Sequence, residues 1–145
     1  ALIEAPRLNG ESFRLADFKG QVIVLDFWAT WCRPCRKTLP ALQRVHEFYK
    51  DDERVKIVSM NVDEGTHQDA RVRAFMKKNR FDFDVVRDRS GRWSQTYGIR
   101  TIPYLVIVDP KGNIHKRVQG RVGGTDATVT FLRNGIEAAR EISGN

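Results

Sequence analysis

The chain has 145 residues, 41% of them hydrophobic and 30% charged, and a formal net charge of +7. That length supports one domain with a real core and is too short for two comfortable ones, and no apolar run approaches the ~20 residues that a membrane span requires. The positive charge comes without a nucleic-acid motif or interleaved aromatic and basic residues, so it points to an anionic membrane surface or an acidic redox partner rather than to nucleic acid.

Residues 1–20 read as a lead-in. Leu8-Asn-Gly-Glu-Ser-Phe-Arg-Leu15 carries a turn signal at Asn9-Gly10 between apolar positions and predicts a small hairpin, followed by a single turn to Gly20. Val22 to Leu25 are apolar and mostly β-branched, as a strand buried on both faces requires. Asp26 stands at the end of that strand, and Trp28, Ala29, Thr30 and Trp31 carry the chain over it. Cys32 and Cys35, the two cysteines of the chain, follow in a Cys-x-x-Cys spacing where a helix opens, with Pro34 in the first turn. The helix should run to about Tyr49 on a core face of Leu39, Leu42, Val45 and Tyr49, kinked by Pro40 near Arg36.

A second strand is predicted over 55–62, a polar loop over 63–67, a helix over 69–79 with Val72, Phe75 and Met76 inward, and a short strand over 81–86. Strand, helix and strand in this order imply a crossover into a parallel pair. A turn and one or two helical turns lead to Ile102-Pro103, which precedes the apolar run Tyr104 to Val108; a proline suits a strand's first residue. A turn at 109–113, a returning strand over 114–120 and a last helix complete the chain. Val129, Leu132, Ile136 and Ala139 form that helix's inner face, and Gly135 weakens it by about 1 kcal/mol relative to alanine, which packing must offset. There is no internal repeat or low-complexity tract.

Read from spacing alone, the cysteine pair has three meanings: half of a zinc site, a structural disulfide, or a redox pair. Zinc would need two more ligands, and His46, His67 and His115 are scattered without ligand spacing. A disulfide closing so small a loop constrains little of the unfolded chain. The redox reading has a physical basis. A helix N-terminus offers unpaired N–H groups and the positive end of the dipole, and Arg33 and Arg36 add charge, so the Cys32 thiol is expected to ionise below the ~8.5 of free cysteine. Cys35 lies one turn on, placed to close a disulfide.

The segment Asp26-Phe-Trp-Ala-Thr-Trp-Cys-Arg-Pro-Cys35, followed by Thr101-Ile-Pro-Tyr104, resembles the two active-site loops of thioredoxin-fold thiol–disulfide oxidoreductases, and the whole chain is most similar to their TlpA/ResA-like branch. The resemblance implies an α/β thioredoxin fold in a single domain, 1–145, with an N-terminal hairpin extension over 1–20 and a central helix–strand insertion over 64–97. It implies Cys32 as nucleophile, Cys35 as resolving thiol and Asp26 as the buried carboxylate that assists resolution. Trp31, Arg33, Pro34, Ile102 and a cis Pro103 would meet the substrate. No metal or other cofactor is implied beyond a redox-active Cys32–Cys35 disulfide. The partners implied are protein disulfides or dithiols and an upstream thiol–disulfide electron donor, for a monomer acting outside the cytoplasm. Reduction is the expected direction, including of apocytochrome c, and any export signal or membrane tether would lie outside these residues.

Two positions depart from the family's pattern. A lysine commonly pairs with the buried aspartate from the neighbouring strand, and here that position is Ser59. A glutamate often stands three residues beyond the second cysteine, and here that is Thr38. Asp26 therefore keeps neither companion, and burial should raise its pKa further than in a lysine-paired site. Other readings are a metal-handling chaperone of the same fold, whose relatives use a wider cysteine spacing, a redox-dependent binding module, and a peroxidase, for which the Pro-x-x-x-Thr-x-x-Cys loop is absent.

Overall fold

The computed structural model describes residues 2–142. Its centre is strand β3, Val22–Trp28, in which all seven residues are buried. A strand that shows no polar face can only be the middle of a sheet covered on both sides. β4 (Val55–Asn61) and then β5 (Asp84–Arg87) lie parallel to it on one flank; on the other, β6 (Tyr104–Val108) runs antiparallel to β3 and β7 (Ile114–Gln119) antiparallel to β6, giving the order β5-β4-β3-β6-β7.

The pleat sends alternate residues of β3 to different cores. Val22, Val24 and Trp28 pack beneath three helices: α1 (Arg33–Tyr49), α2 (Asp69–Asn79) and α4 (Thr125–Arg140). Leu39, Leu42, Val45 and Tyr49 of α1 and Leu132, Ile136 and Ala139 of α4 are buried there, as their spacing predicts, while Val129 is only partly covered. Ile23, Leu25 and Phe27 face the other way, under a two-stranded hairpin, β1 (Glu4–Pro6) and β2 (Ser12–Arg14), and the short helix α3 (Arg92–Thr96). Ile3, Ala5, Phe13 and Leu15 close that face, so the N-terminal segment completes the second core.

Three predicted elements sit differently. Only β2 of the hairpin lies within the Leu8–Leu15 segment and β1 precedes it, because residues 7–11 form the loop and dock on the sheet edge. Leu8 N–H donates to the Val85 carbonyl at 2.9 Å, and Arg7 pairs with Asp84 at 2.9 Å. This contact covers the free edge of β5. β3 continues past Asp26 to Trp28, where Val62 N–H still bonds the Trp28 carbonyl. β5 starts at Asp84 rather than Phe81, because in the linker from α2 Phe81 stacks on Phe83 and packs at a tilt against Phe75.

Pro40 lies within α1, which runs unbroken to Tyr49, so the Arg36 carbonyl loses its usual helical donor. Gly135 explains its own presence in α4. A Cβ there would overlap the Cδ1 of the buried Ile107 on β6, so glycine lets the helix approach the sheet. Gly135→Ala is expected to lower stability by about 1–3 kcal/mol through overpacking. Adding Ile107→Val, which removes the obstructing methyl, should recover most of that loss in a double-mutant cycle of denaturation free energies. Additive effects of the two changes would contradict this close packing.

Candidate active site

The site assembles where β3, the start of α1 and the loop before β6 meet. Cys32 occupies the N-cap position of α1, and its Sγ accepts the Cys35 N–H at 3.3 Å, the place usually taken by a hydroxyl or carboxylate. The two sulfurs form a disulfide across Cα atoms 5.2 Å apart. Cys35 is fully buried and Cys32 nearly so, while Trp31 beside them is 62% exposed and Arg33 and Pro34 face solvent. The Ile102–Pro103 peptide bond is cis, Pro103 is buried, and the Ile102 carbonyl oxygen lies 3.8 Å from Cys32 Sγ. Trp31 and Ile102 share the wall of a cleft of about 530 Å³ that includes Arg71 and Arg100. The predicted residues thus come together at one end of the sheet.

Asp26 is 0% exposed, and among the described residues neither of its carboxylate oxygens has a hydrogen-bond partner. The pleat puts it on the same sheet face as Val24 and Trp28, whose cluster includes Cys32 and Cys35. Desolvation by burial pushes its carboxyl well above the ordinary range. The two positions where the family's pattern puts a companion offer none. Ser59 stands opposite Asp26 across β4 but donates to the Asp84 carbonyl at 3.1 Å. Thr38 donates to the Pro34 carbonyl within α1 at 3.3 Å. Trp28 Nε1 is likewise buried without a partner among the described residues.

A polar network that the sequence reading missed fixes the loop ahead of Cys32. Every polar group of Thr30 is engaged. Its N–H and hydroxyl donate to the two oxygens of Asp63, the former at 2.8 Å, and its carbonyl accepts Arg36 Nη1 at 2.9 Å. Asp63 in turn accepts Asn61 Nδ2 at 3.0 Å. Behind them Arg87, fully buried at the end of β5, donates to Asn61 Oδ1, the Asp63 and Gly65 carbonyls and Asp69 Oδ1, each at 2.7 Å. The Arg89 guanidinium, with Arg87 and against the opposing effect of burial, holds the Asp69 carboxyl below its usual range. This arginine links the ends of β4, β5 and α2 to the catalytic-side loop. Removing one partner of such a buried ionic cluster costs about 3–5 kcal/mol. The sequence signal is slight: an arginine just past the strand predicted over 81–86, and Asn61 near the end of the strand over 55–62 with Asp63 opening the loop after it.

Comparison with known proteins follows this geometry. The model of the AhpC/TSA family matches residues 2–117. Thiol-disulfide oxidoreductase ResA of Bacillus thuringiensis subsp. konkukian is 34% identical over 113 residues, 78% of this chain, and the chain spans only 63% of that relative's length. The crystal structure of StoA from Bacillus subtilis superimposes with a TM-score of 0.74 at 31% identity, covering 91% of this chain and 96% of that one. A Chlorobium tepidum structure assigned as a thiol:disulfide interchange protein DsbE gives a TM-score of 0.82 at 28% identity over 96% of this chain and 93% of its own. The architecture is the thioredoxin fold.

The raised carboxyl of Asp26 has a consequence for stability. A native group that holds its proton more tightly than the unfolded chain makes the protein lose stability as pH rises from about 4, the unfolded value, until pH passes the native one. Asp26→Asn lacks that loss. For the disulfide form, its denaturation midpoint should match the wild type near pH ~4 and exceed it by a margin that widens toward neutral pH. A difference that is constant with pH would contradict the raised value.

Proposed function

This chain belongs to the AhpC/TSA family, and we propose that it is a thiol–disulfide oxidoreductase that exchanges disulfides with protein substrates through Cys32 and Cys35. The observation that carries this reading is a cysteine sulfur at the N-cap of α1, paired with a second sulfur one turn deeper and lying against a cis-proline loop. Among the described residues no cluster of histidine, cysteine and acidic side chains could hold a metal ion, and the chemistry proposed requires only the two sulfurs.

In the reduced protein the Cys32 thiolate attacks one sulfur of a partner disulfide. A Cys32–partner S–S bond forms, the partner's S–S bond breaks, and one partner thiolate leaves and takes a proton. Cys35 must then lose its own proton. The buried Asp26 carboxylate, whose affinity for protons is raised by burial, is the base for this step. The Cys35 thiolate attacks Cys32 Sγ, the Cys32–Cys35 disulfide forms, and the second partner sulfur leaves as a thiol. The partner gains two electrons and two protons, and an upstream dithiol donor restores the cycle.

Trp31, Arg33, Pro34, Ile102 and Pro103 form the surface met by the substrate, with the Ile102 carbonyl beside the exchanging sulfur. The N-terminal extension 1–20 and the central segment 64–97 belong to one domain, and the latter supplies one wall of that surface through Arg71. The relatives' names, thiol-disulfide oxidoreductase ResA and thiol:disulfide interchange protein DsbE, support disulfide exchange, and this reading takes the chain as a monomeric reductant of exported proteins that acts outside the cytoplasm. Within this reading apocytochrome c is one substrate type and any tether lies beyond these residues.

Trapping tests the assignment. Cys35→Ala is expected to accumulate mixed disulfides through Cys32, Cys32→Ser should hold none, and only the unaltered protein should accelerate insulin reduction by dithiothreitol. Equal trapping by Cys32→Ser, or no acceleration by the unaltered protein, would overturn it.

A further inference from the structure

Helix α2 turns one exposed face toward the cysteine loop. Arg71, Ala74, Phe75 and Lys78 recur at the three- and four-residue spacing of a single helix face. Together with Thr30, Arg36 and Asn79 they line a groove of about 520 Å³ beside the cysteine loop. Its apolar part is Phe75, half-buried and packed at 5.2 Å on Trp28. Its charges are all positive: Arg36, Arg71 and Lys78, with no aspartate or glutamate in the wall. None of the three is in an ion pair among the described residues, although Arg36 also anchors the Thr30 carbonyl.

Arg71 also lines the neighbouring cleft that holds Trp31, Ile102 and Arg100. The two depressions therefore share Arg71 as a wall residue, one beside Trp31 and the other beside Thr30. Along α2 the two cations stand about 10 Å apart, a length covered by three or four residues of extended chain.

Resting on the exchange reading above, we propose that this groove binds an acidic segment of the substrate polypeptide, adjacent to the cysteine being exchanged, through Arg71 and Lys78. Three cations that form no ion pair, in a groove whose own lining holds no acid, repel a basic segment and concentrate an acidic one, while Asp63 and Glu64 line the cleft on the other side of Arg71. Phe75 and Ala74 give the chain an apolar bed. Such surface charges act mainly on association rate and on discrimination between partners, and their effect is screened by salt.

The test uses two peptide disulfides of equal length, each with one cysteine flanked on both sides by glutamates or by glutamines, reduced by the dithiol form of the protein. Each rate is divided by the rate of the same peptide with dithiothreitol, which removes the peptides' intrinsic difference. The acidic-to-neutral ratio is expected to be about tenfold at low salt and to approach one at high salt. In Arg71→Glu/Lys78→Glu it should fall to one or below, and in Arg71→Gln/Lys78→Gln, which keeps long polar side chains at exposed positions, to an intermediate value. A ratio of one at low salt, or a ratio unchanged in both variants, overturns the groove assignment while the exchange reading stands. Failure to reduce the neutral peptide at all overturns the exchange reading and the groove with it. A third arm measures binding to phosphatidylglycerol vesicles. If the substitutions abolish vesicle binding but leave the peptide ratio intact, the face belongs to a membrane surface and the proposal is overturned.

Discussion

A sulfur stands where a helix normally takes an oxygen. Cys32 caps α1 by accepting the Cys35 N–H, and the rest of the molecule holds that cap in place. The positive end of the α1 dipole favours negative charge on Cys32, and a burdened N-terminus of this kind needs a rigid approach. β3, buried along its whole length between two cores, supplies it. Thr30, held at every polar group by Asp63 and Arg36, turns the chain from that strand to the helix without freedom to swing. The hairpin and α3 cover the far face of the sheet, so the strand that aims the sulfur is packed from both sides. Functional geometry thus depends on side chains far from the cysteines.

The second constraint is a carboxyl without a partner. Leaving a polar group buried and unbonded costs about 1–3 kcal/mol, and a protein under selection for stability alone would replace Asp26 with an apolar residue. Its retention in the floor of the site, with Ser59 and Thr38 each bonded elsewhere, fits a group kept for its protons. The absence of a lysine or glutamate companion leaves desolvation as the single cause of its raised pKa. The same site thus combines two opposite electrostatic settings: a helix N-terminus that favours negative charge on the Cys32 sulfur, and an acid whose burial discourages it from ionising.

Much of this was legible in the chain. A continuous apolar run located β3, and three-to-four-residue patterns located α1, α2 and α4, because a strand covered on both sides is apolar throughout and a helix on the sheet buries one face. The cysteine spacing, Pro34 and Asp26 marked the site through local chemistry. What stayed hidden was long-range. Leu8 and Phe81 looked like strand residues, since apolar character does not distinguish a strand from a loop packed on a sheet edge. Arg87 fell between the strand predicted over 81–86 and the turn after it, and its role stayed hidden because its four acceptors come from Asn61, Asp63, Gly65 and Asp69, 18 to 26 positions away along the chain. Phe75 was read as part of a core face, while the groove it helps to line becomes visible only when α2 is set against Thr30 and Arg36.

The most direct test of this account is the pH dependence of Cys32 alkylation in the reduced protein, measured with iodoacetamide on Cys35→Ala so that one thiol reports. The helix terminus and neighbouring arginines predict a half-maximal rate at a pH clearly below the ~8.5 of a free cysteine. A midpoint at or above that value would mean that the N-cap position does not activate the sulfur.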